Sequence, residues 1–189
     1  MVRGASRGQQ SPEHGKPLLR VGKDAIIHTM GYLALPSSGY FVVGGANLVL
    51  RGIRPDTTDL DMLVSDEIFS HLAEQEGAEL RDPPRTAIER GATNPSVKVS
   101  NSRTRIPVSA VTAVGHGFYP MSHQTHRAYT EIVDGISCLT LEQVVASKAA
   151  LGRPKDIEDL AAIARFTGKA IMLPSPIQNE AWADYEVDT

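Results

Sequence analysis

The stretch from Gly39 to Val64, GYFVVGGANLVLRGIRPDTTDLDMLV, constrains the fold more than any other part of the chain. It holds an apolar run (Tyr40 to Val43), the pair Gly44-Gly45, a short helix-like segment, a loop with Arg54 and Pro55, and Asp59-Leu60-Asp61 entering a second apolar run. Successive strand residues point to opposite faces, so Asp59 and Asp61 share one face and Leu60, Met62 and Val64 the other. The apolar face packs into a core while both carboxylates look into a cleft. Two carboxylates held this close repel each other, and a divalent cation with oxygen ligands, Mg²⁺ or Mn²⁺, relieves the repulsion. A strand that runs through Gly-Gly straight into a helix exposes backbone N–H groups where negative charge is favoured, a place for phosphates. If the two strands are sheet neighbours, phosphates meet metal.

This ordered set resembles the nucleotidyltransferases of the polymerase-β-like superfamily, whose signature is Gly-Gly or Gly-Ser opening a helix, then Asp-x-Asp on a strand. Here it stands as Gly44-Gly45 and Asp59-Leu60-Asp61, with Arg54 and Thr57-Thr58 between. The resemblance implies an α/β (α+β) fold in which a mixed sheet is flanked by helices and the C-terminal helices close the cleft. The superfamily commonly carries a third carboxylate on a later strand, by position near Ser109, where this chain has none. Either another acid fills the place or one metal is held mainly by nucleotide phosphates.

A chain of 189 residues with 41% hydrophobic residues is long enough for one domain with its own core. Nineteen basic against 22 acidic residues leave a slightly acidic molecule, so a polyanionic partner has to find a local patch. The single cysteine, Cys138, rules out an intrachain disulfide framework and fits a reducing compartment. No apolar stretch has the length of a membrane span and no signal-peptide core is visible, so the expected location is cytoplasmic.

Residues 1–17 are polar and aperiodic and read as a disordered arm, with RNA contact through Arg3, Arg7 and Lys16 as the alternative. Helical spacing predicts a helix from Asp24 to Leu35, stopped by Pro36, and another from Asp66 to Glu76. Between Arg81 and Arg105 the cations Arg81, Arg85, Arg90, Lys98, Arg103 and Arg105 face only Asp82 and Glu89. Such a cluster suits a phosphate backbone and is the expected landing site if RNA is the substrate; a solvated loop is the competing reading. Ser96 to Ser100 and Ile106 to Val114 read as strands. His116, His123 and His126 invite a zinc site, but no metal-binding spacing accompanies them, and a surface loop or base contacts fit better.

Thr130 to Val133 and Ile136 to Leu139 flank Asp134-Gly135, a hairpin signal. The next helix starts at Thr140 with Gln143 completing a capping box and Leu139 stapling to Val144. Lys148 falls on its inward stripe, where an ammonium is costly unless it snorkels or meets anions; a triphosphate in the cleft is the expected anion. Gly152-Arg153-Pro154-Lys155 leads into a last helix, Asp156 to Phe166, with Asp156 and Asp159 adjacent on its surface. Residues 173–189 form a tail with an acidic end around Trp182 and Tyr185.

The run from Leu139 to Leu160 narrows the resemblance to the AbiEii-type branch, the toxins of type IV toxin–antitoxin systems, including the MenT group. In that branch a helix lysine and a Lys/Arg-Asp-x-x-Asp segment complete the site, matching Lys148, Lys155, Asp156 and Asp159. The resemblance covers roughly residues 22–166, within a nucleotidyltransferase domain expected over 18–172. It implies an enzyme that uses NTP with Mg²⁺, transfers NMP to an RNA acceptor such as a tRNA 3′ end, releases pyrophosphate, and has a cognate antitoxin as partner. Gly44 and Gly45 would hold phosphates, helped by Asn47 and Thr58. Asp59 and Asp61 would ligate the metal, Lys148 would neutralise phosphate charge, and Asp156 would orient or deprotonate the attacking hydroxyl. Transfer to a protein or a small molecule is the alternative acceptor chemistry. A catalytically weak nucleotide-binding module is the alternative of another class.

Overall fold

A computed structural model describes residues 19–83, 94–114 and 120–171. The arm over 1–17, the tail over 173–189, Arg85, Arg90 and His116 lie outside the described residues. No described helix is long and apolar enough to cross a membrane.

Helix α1 (Lys23–Leu33) ends where Ala34 takes a left-handed conformation (φ 49°) and its N–H bonds the carbonyl of Met30. Strand β1 (Tyr40–Val42) runs into α2 (Gly44–Leu50), and β2 (Leu60–Val64) returns beside β1 as its antiparallel neighbour. Ser65 then caps α3 (Asp66–Ala73), its side chain accepting from the N–H of Ile68. Strands β3 (Ala78–Arg81), β4 (Ser96–Val99) and β5 (Val108–Val111) follow, then a separate two-stranded ribbon of β6 (Ala113–Val114) and β7 (Met121–Ser122). A short helix α4 (His123–His126) leads to the hairpin β8 (Thr130–Val133) and β9 (Ile136–Leu139). Helices α5 (Leu141–Leu151) and α6 (Pro154–Thr167) finish the described chain.

The main sheet has seven strands in the order β3-β4-β5-β2-β1-β9-β8. It is mixed: β2 pairs β5 and β1 pairs β9 in parallel, while the other neighbours are antiparallel. The α/β class is therefore as expected. On one face, Leu60, Met62, Val64, Val97, Val99, Val108 and Ala110 pack with Ile26, Met30 and Leu33 of α1 and with Ile68 and Leu72 of α3. On the other face, Phe41, Leu63 and Leu139 pack with Leu48, Met121, Val144 and Ile163. Alternation along β2 thus sends Leu60, Met62 and Val64 into the first cluster and Leu63 into the second.

The hairpin forms over the expected residues because Asp134 (φ 49°) and Gly135 (φ 80°) take the two left-handed positions of a tight turn matched to strand twist. Leu139 and Val144 share a cluster, as the staple requires. Thr140 occupies the N-cap of α5, but its side chain makes no cap hydrogen bond, so the capping box is incomplete at that end. Two further expectations are corrected. The run from Ile106 to Val114 is not one strand, because the chain bends at Thr112 and its end joins the β6–β7 ribbon. The segment from Arg81 onward does not begin as a loop, because Arg81 closes an edge strand.

Candidate functional site

At one end of the sheet, β1 stops and β2 starts. Gly44 has φ +62°, a conformation that favours glycine, and a Cβ there would stand 3.0 Å from Asp61 Oδ2. A Cβ on Gly45 would stand 3.0 Å from Thr57 Oγ1 and 3.6 Å from Arg54 Nη1. The glycine pair is thus explained first by close approach: backbone packs directly on the Asp61 carboxylate and on the Thr57 hydroxyl. The N–H of Val43 bonds the carbonyl of Asp61 at 2.9 Å, which locks the start of α2 to the carboxylate strand.

Thr57, buried, donates through Oγ1 toward the Asp59 carbonyl (3.2 Å) and lies 3.4 Å from Asp59 Oδ1. Thr57 therefore supports the Asp59 end of the site. Its own backbone is held by Val21 through paired N–H···O bonds of 2.9 and 3.0 Å. Enclosure, and then the neighbouring charge of Asp59, push the Asp61 carboxyl up to about 7, against the opposing charges of Lys155, Arg153 and Lys148. Asp61 is the group in which the mutual repulsion of the two carboxylates is expressed.

The second half of the site comes from α5 and α6. Lys148 is buried, as its stripe position requires, and its Nζ donates to Asp159 Oδ2 at 2.6 Å and Asp156 Oδ1 at 3.2 Å. The anions it meets are thus the two carboxylates of α6, which replace the expected triphosphate as its partners here. Arg153 grips Asp156 with both Nε (2.6 Å) and Nη2 (3.1 Å), and Arg54 Nη1 reaches Asp159 Oδ1 at 3.1 Å. Burial alone would raise the Asp156 carboxyl, but the Arg153 hydrogen bond and the charges of Lys148 and Arg153 outweigh it and hold it below its ordinary value. A fully buried carboxylate with a depressed pKa is a poor proton acceptor, so Asp156 is better fitted to fixing Lys148 than to the general-base role first assigned to it. Arg54 joins the two halves, since it lies against Gly45 and bonds Asp159.

Asn47 requires a correction. It is completely buried, and its two amide N–H groups donate to the carbonyls of Val42 (3.0 Å) and Leu139 (2.8 Å) while its Oδ1 accepts from Arg51 Nε (2.7 Å). No donor is left for a phosphate. Asn47 instead ties α2 to the ends of β1 and β9, and Arg51 extends the clamp to Glu131 at 2.8 Å.

Among the described residues the cations of the basic stretch do not form one patch. Lys98 and Arg81 stand on the sheet face that carries Asp61, because the register pairs Asp61 with Ser109, Ser109 with Lys98, Lys98 with Glu79, and Ser96 with Arg81. Arg103 lies over the Tyr32 ring at 5.8 Å and the Arg105 N–H bonds Thr29, so both belong with α1, which packs on the opposite face. Register also puts Ser109 directly beside Asp61, where a third carboxylate was sought and is missing.

His123 stacks on Phe41 with ring centroids 5.6 Å apart, and His126 Nδ1 lies 2.9 Å from Thr125 Oγ1; burial holds both imidazoles below their ordinary pKa. Among the described residues no group of three or more His, Cys, Asp or Glu side chains is placed to hold a metal ion. Asp59 and Asp61 therefore stand as a pair among the described residues. Burial pushes the Cys138 thiol up to about 12, which leaves no thiolate nucleophile there.

Arg54, Thr57 and Arg153 are the site residues to which the sequence assigned no role. The contact from Arg54 to Asp159 spans 105 positions. Comparison with family models, with curated proteins and with solved structures returned no match.

Proposed function

We propose that this chain is a metal-dependent nucleotidyltransferase that moves NMP from an NTP to the 3′ end of an RNA, with pyrophosphate leaving. The observation that carries the reading is the meeting of two sets at one sheet end: Asp61 against the Gly44 backbone with Asp59 held at Thr57, and Lys148 with Asp156 and Asp159, linked by Arg54, which lies at Gly45 and bonds Asp159. Burial first, and then the charge of Asp59, raise the Asp61 carboxyl, and a divalent ion with hard oxygen ligands would relieve the second of these. Asp59 and Asp61 would hold Mg²⁺ or Mn²⁺, which supplies Lewis-acid stabilisation of phosphoryl charge, the remaining oxygen ligands coming from nucleotide phosphates and water.

The chain's own residues divide the rest of the work. The open Gly44-Gly45 backbone admits a phosphate where any side chain would collide with Asp61 or Thr57. Arg54 and Lys148 lie close enough to receive the anionic charge that builds on the leaving pyrophosphate. Asp159 holds both of these cations in place as a positioning residue, and Asp156 holds Lys148 together with Arg153.

A second reading, a nucleotide-binding module with weak turnover, draws on Ser109, which sets a neutral hydroxyl beside Asp61 where a further metal ligand could stand. Pyrophosphate release separates the two. With RNA, Mg²⁺ and each NTP, the wild type is expected to release pyrophosphate and Asp61→Asn to lose at least 100-fold of the rate, roughly the cost of removing a transition-state charge contact. Nucleotide binding with no pyrophosphate from any NTP supports the module instead.

A further inference from the structure

Beyond the carboxylates, the face of the sheet that carries the site continues as a row of polar residues. Asp61, Ser109, Lys98 and Glu79 are successive cross-strand neighbours on β2, β5, β4 and β3, and Ser96 and Arg81 pair in the adjacent row on the same face. In β2, β4 and β5 the alternate residues, Met62, Val97, Val99, Val108 and Ala110, turn into the core on the other side. Ser109 and Lys98 therefore stand toward the site face by the pleat of the sheet. Two interstrand spacings of about 4.8 Å put the Lys98 backbone ~10 Å from that of Asp61, and the lysine stem shortens that gap.

Lys98 is only partly buried and makes no ion pair among the described residues. Glu79, the nearest carboxylate beyond it, is engaged by Arg81 at 2.8 Å. The arrangement next to Asp61 is thus a neutral hydroxyl followed by an ammonium, the reverse of what a further cation site would need. An anion is what fits.

We propose that Ser109 and Lys98 form the subsite for the acceptor, taking a backbone phosphate of a single-stranded RNA end so that its terminal hydroxyl is delivered toward Asp61. The inference rests on the nucleotidyltransferase reading for the destination of that hydroxyl. A phosphodiester of the acceptor and a phosphate of the nucleotide share this chemistry. The row lies across β5 and β4, on the opposite side of β2 from β1 and its Gly44-Gly45 turn, and that separation assigns it to the acceptor.

The test measures equilibrium binding of a fluorescent single-stranded RNA, and separately of Mg²⁺ with a non-hydrolysable NTP, to the full chain and to Lys98→Gln, Lys98→Arg and Glu79→Gln. Loss of one phosphate contact to a single strand is expected to lower RNA affinity about fourfold at 0.15 M salt and to reduce the salt slope by about 0.7. Nucleotide affinity should stay unchanged and Lys98→Arg should restore RNA binding. Glu79→Gln, at an exposed position, should strengthen RNA binding. Unchanged RNA affinity and salt slope in Lys98→Gln overturns the proposal. So does a drop confined to nucleotide affinity, which would place the phosphate of the NTP at Lys98. A wild type that binds RNA through Lys98 but transfers no nucleotide would sink the catalytic reading while leaving the RNA subsite standing.

Discussion

Replacing Lys148 by methionine tests the buried charge network on which the second half of the site depends. The ammonium lies 2.6 Å from Asp159 and 3.2 Å from Asp156, and the three residues are 5%, 5% and 0% exposed in that order. Removing one partner of a buried ion pair leaves uncompensated charge and costs about 3–5 kcal/mol. Here each carboxylate keeps a cation, Asp156 through the Arg153 fork and Asp159 through Arg54, which puts the expected cost at the lower end, about 3 kcal/mol. For a chain of this size that corresponds to a fall in Tm of about 6–12 °C. Urea unfolding should show a lower midpoint with an unchanged slope. Lys23→Met, which breaks the solvent-exposed pair with Asp134, is the control and should cost at most about 1 kcal/mol. Adding Asp159→Leu to Lys148→Met should recover part of the loss, because the second change removes a buried carboxylate that has lost one of its two cations. A Lys148→Met protein melting with the wild type would refute the account of how this lysine tolerates burial.

Other outcomes follow from the same geometry. Asn47→Ala should cost about 1–3 kcal/mol by removing the amide's bonds to the carbonyls of Val42 and Leu139 and the acceptor of Arg51 Nε, while KM for NTP stays near wild type; a raised KM without lost stability would return Asn47 to phosphate binding. In EDTA, stability should fall as pH rises from about 4 to about 7, because native Asp61 retains a proton that the unfolded chain has released; Asp61→Asn should flatten that slope and raise Tm at pH 8, read by thermal melts across pH. Asp156 acts with the opposite sign: its folded pKa lies below the ordinary 3.8, so its stabilisation is complete above that value and is lost as pH falls below it. An Arg153→Gln variant should therefore lose less stability than wild type on going from pH 5 to pH 2 in urea titrations.

What could be read from sequence was what is local. Alternation in β2 separated Asp61 from Leu60, Met62 and Val64, and Asp134-Gly135 marked its hairpin because few residues tolerate two successive left-handed positions. The inward stripe of α5 put Lys148 inside. The position of Ser109 beside the carboxylate strand was expected only from the resemblance, which places a third carboxylate there, and the β2–β5 register agrees. The rest depends on packing between distant segments. Asn47 reads as a polar residue beside a glycine turn until the ends of β1 and β9 are seen to converge on its amide. The cations between Arg81 and Arg105 read as one patch until register sends Lys98 to one face and the loop carries Arg103 and Arg105 to α1. Strand β3 escaped notice because it is an exposed edge with little alternation to betray it. The Arg54–Asp159 contact joins segments that no periodicity relates.

The most direct measurement follows two labels through one reaction. The full-length protein is incubated with Mg²⁺, RNA and NTP labelled at either the α- or the γ-phosphate, with Asp61→Asn in parallel. Nucleotidyl transfer predicts that the α-label enters RNA, that the γ-label leaves as pyrophosphate, and that both signals vanish in the variant. Entry of the γ-label into the acceptor, or equal signals from wild type and Asp61→Asn, would contradict the assignment of chemistry to this site.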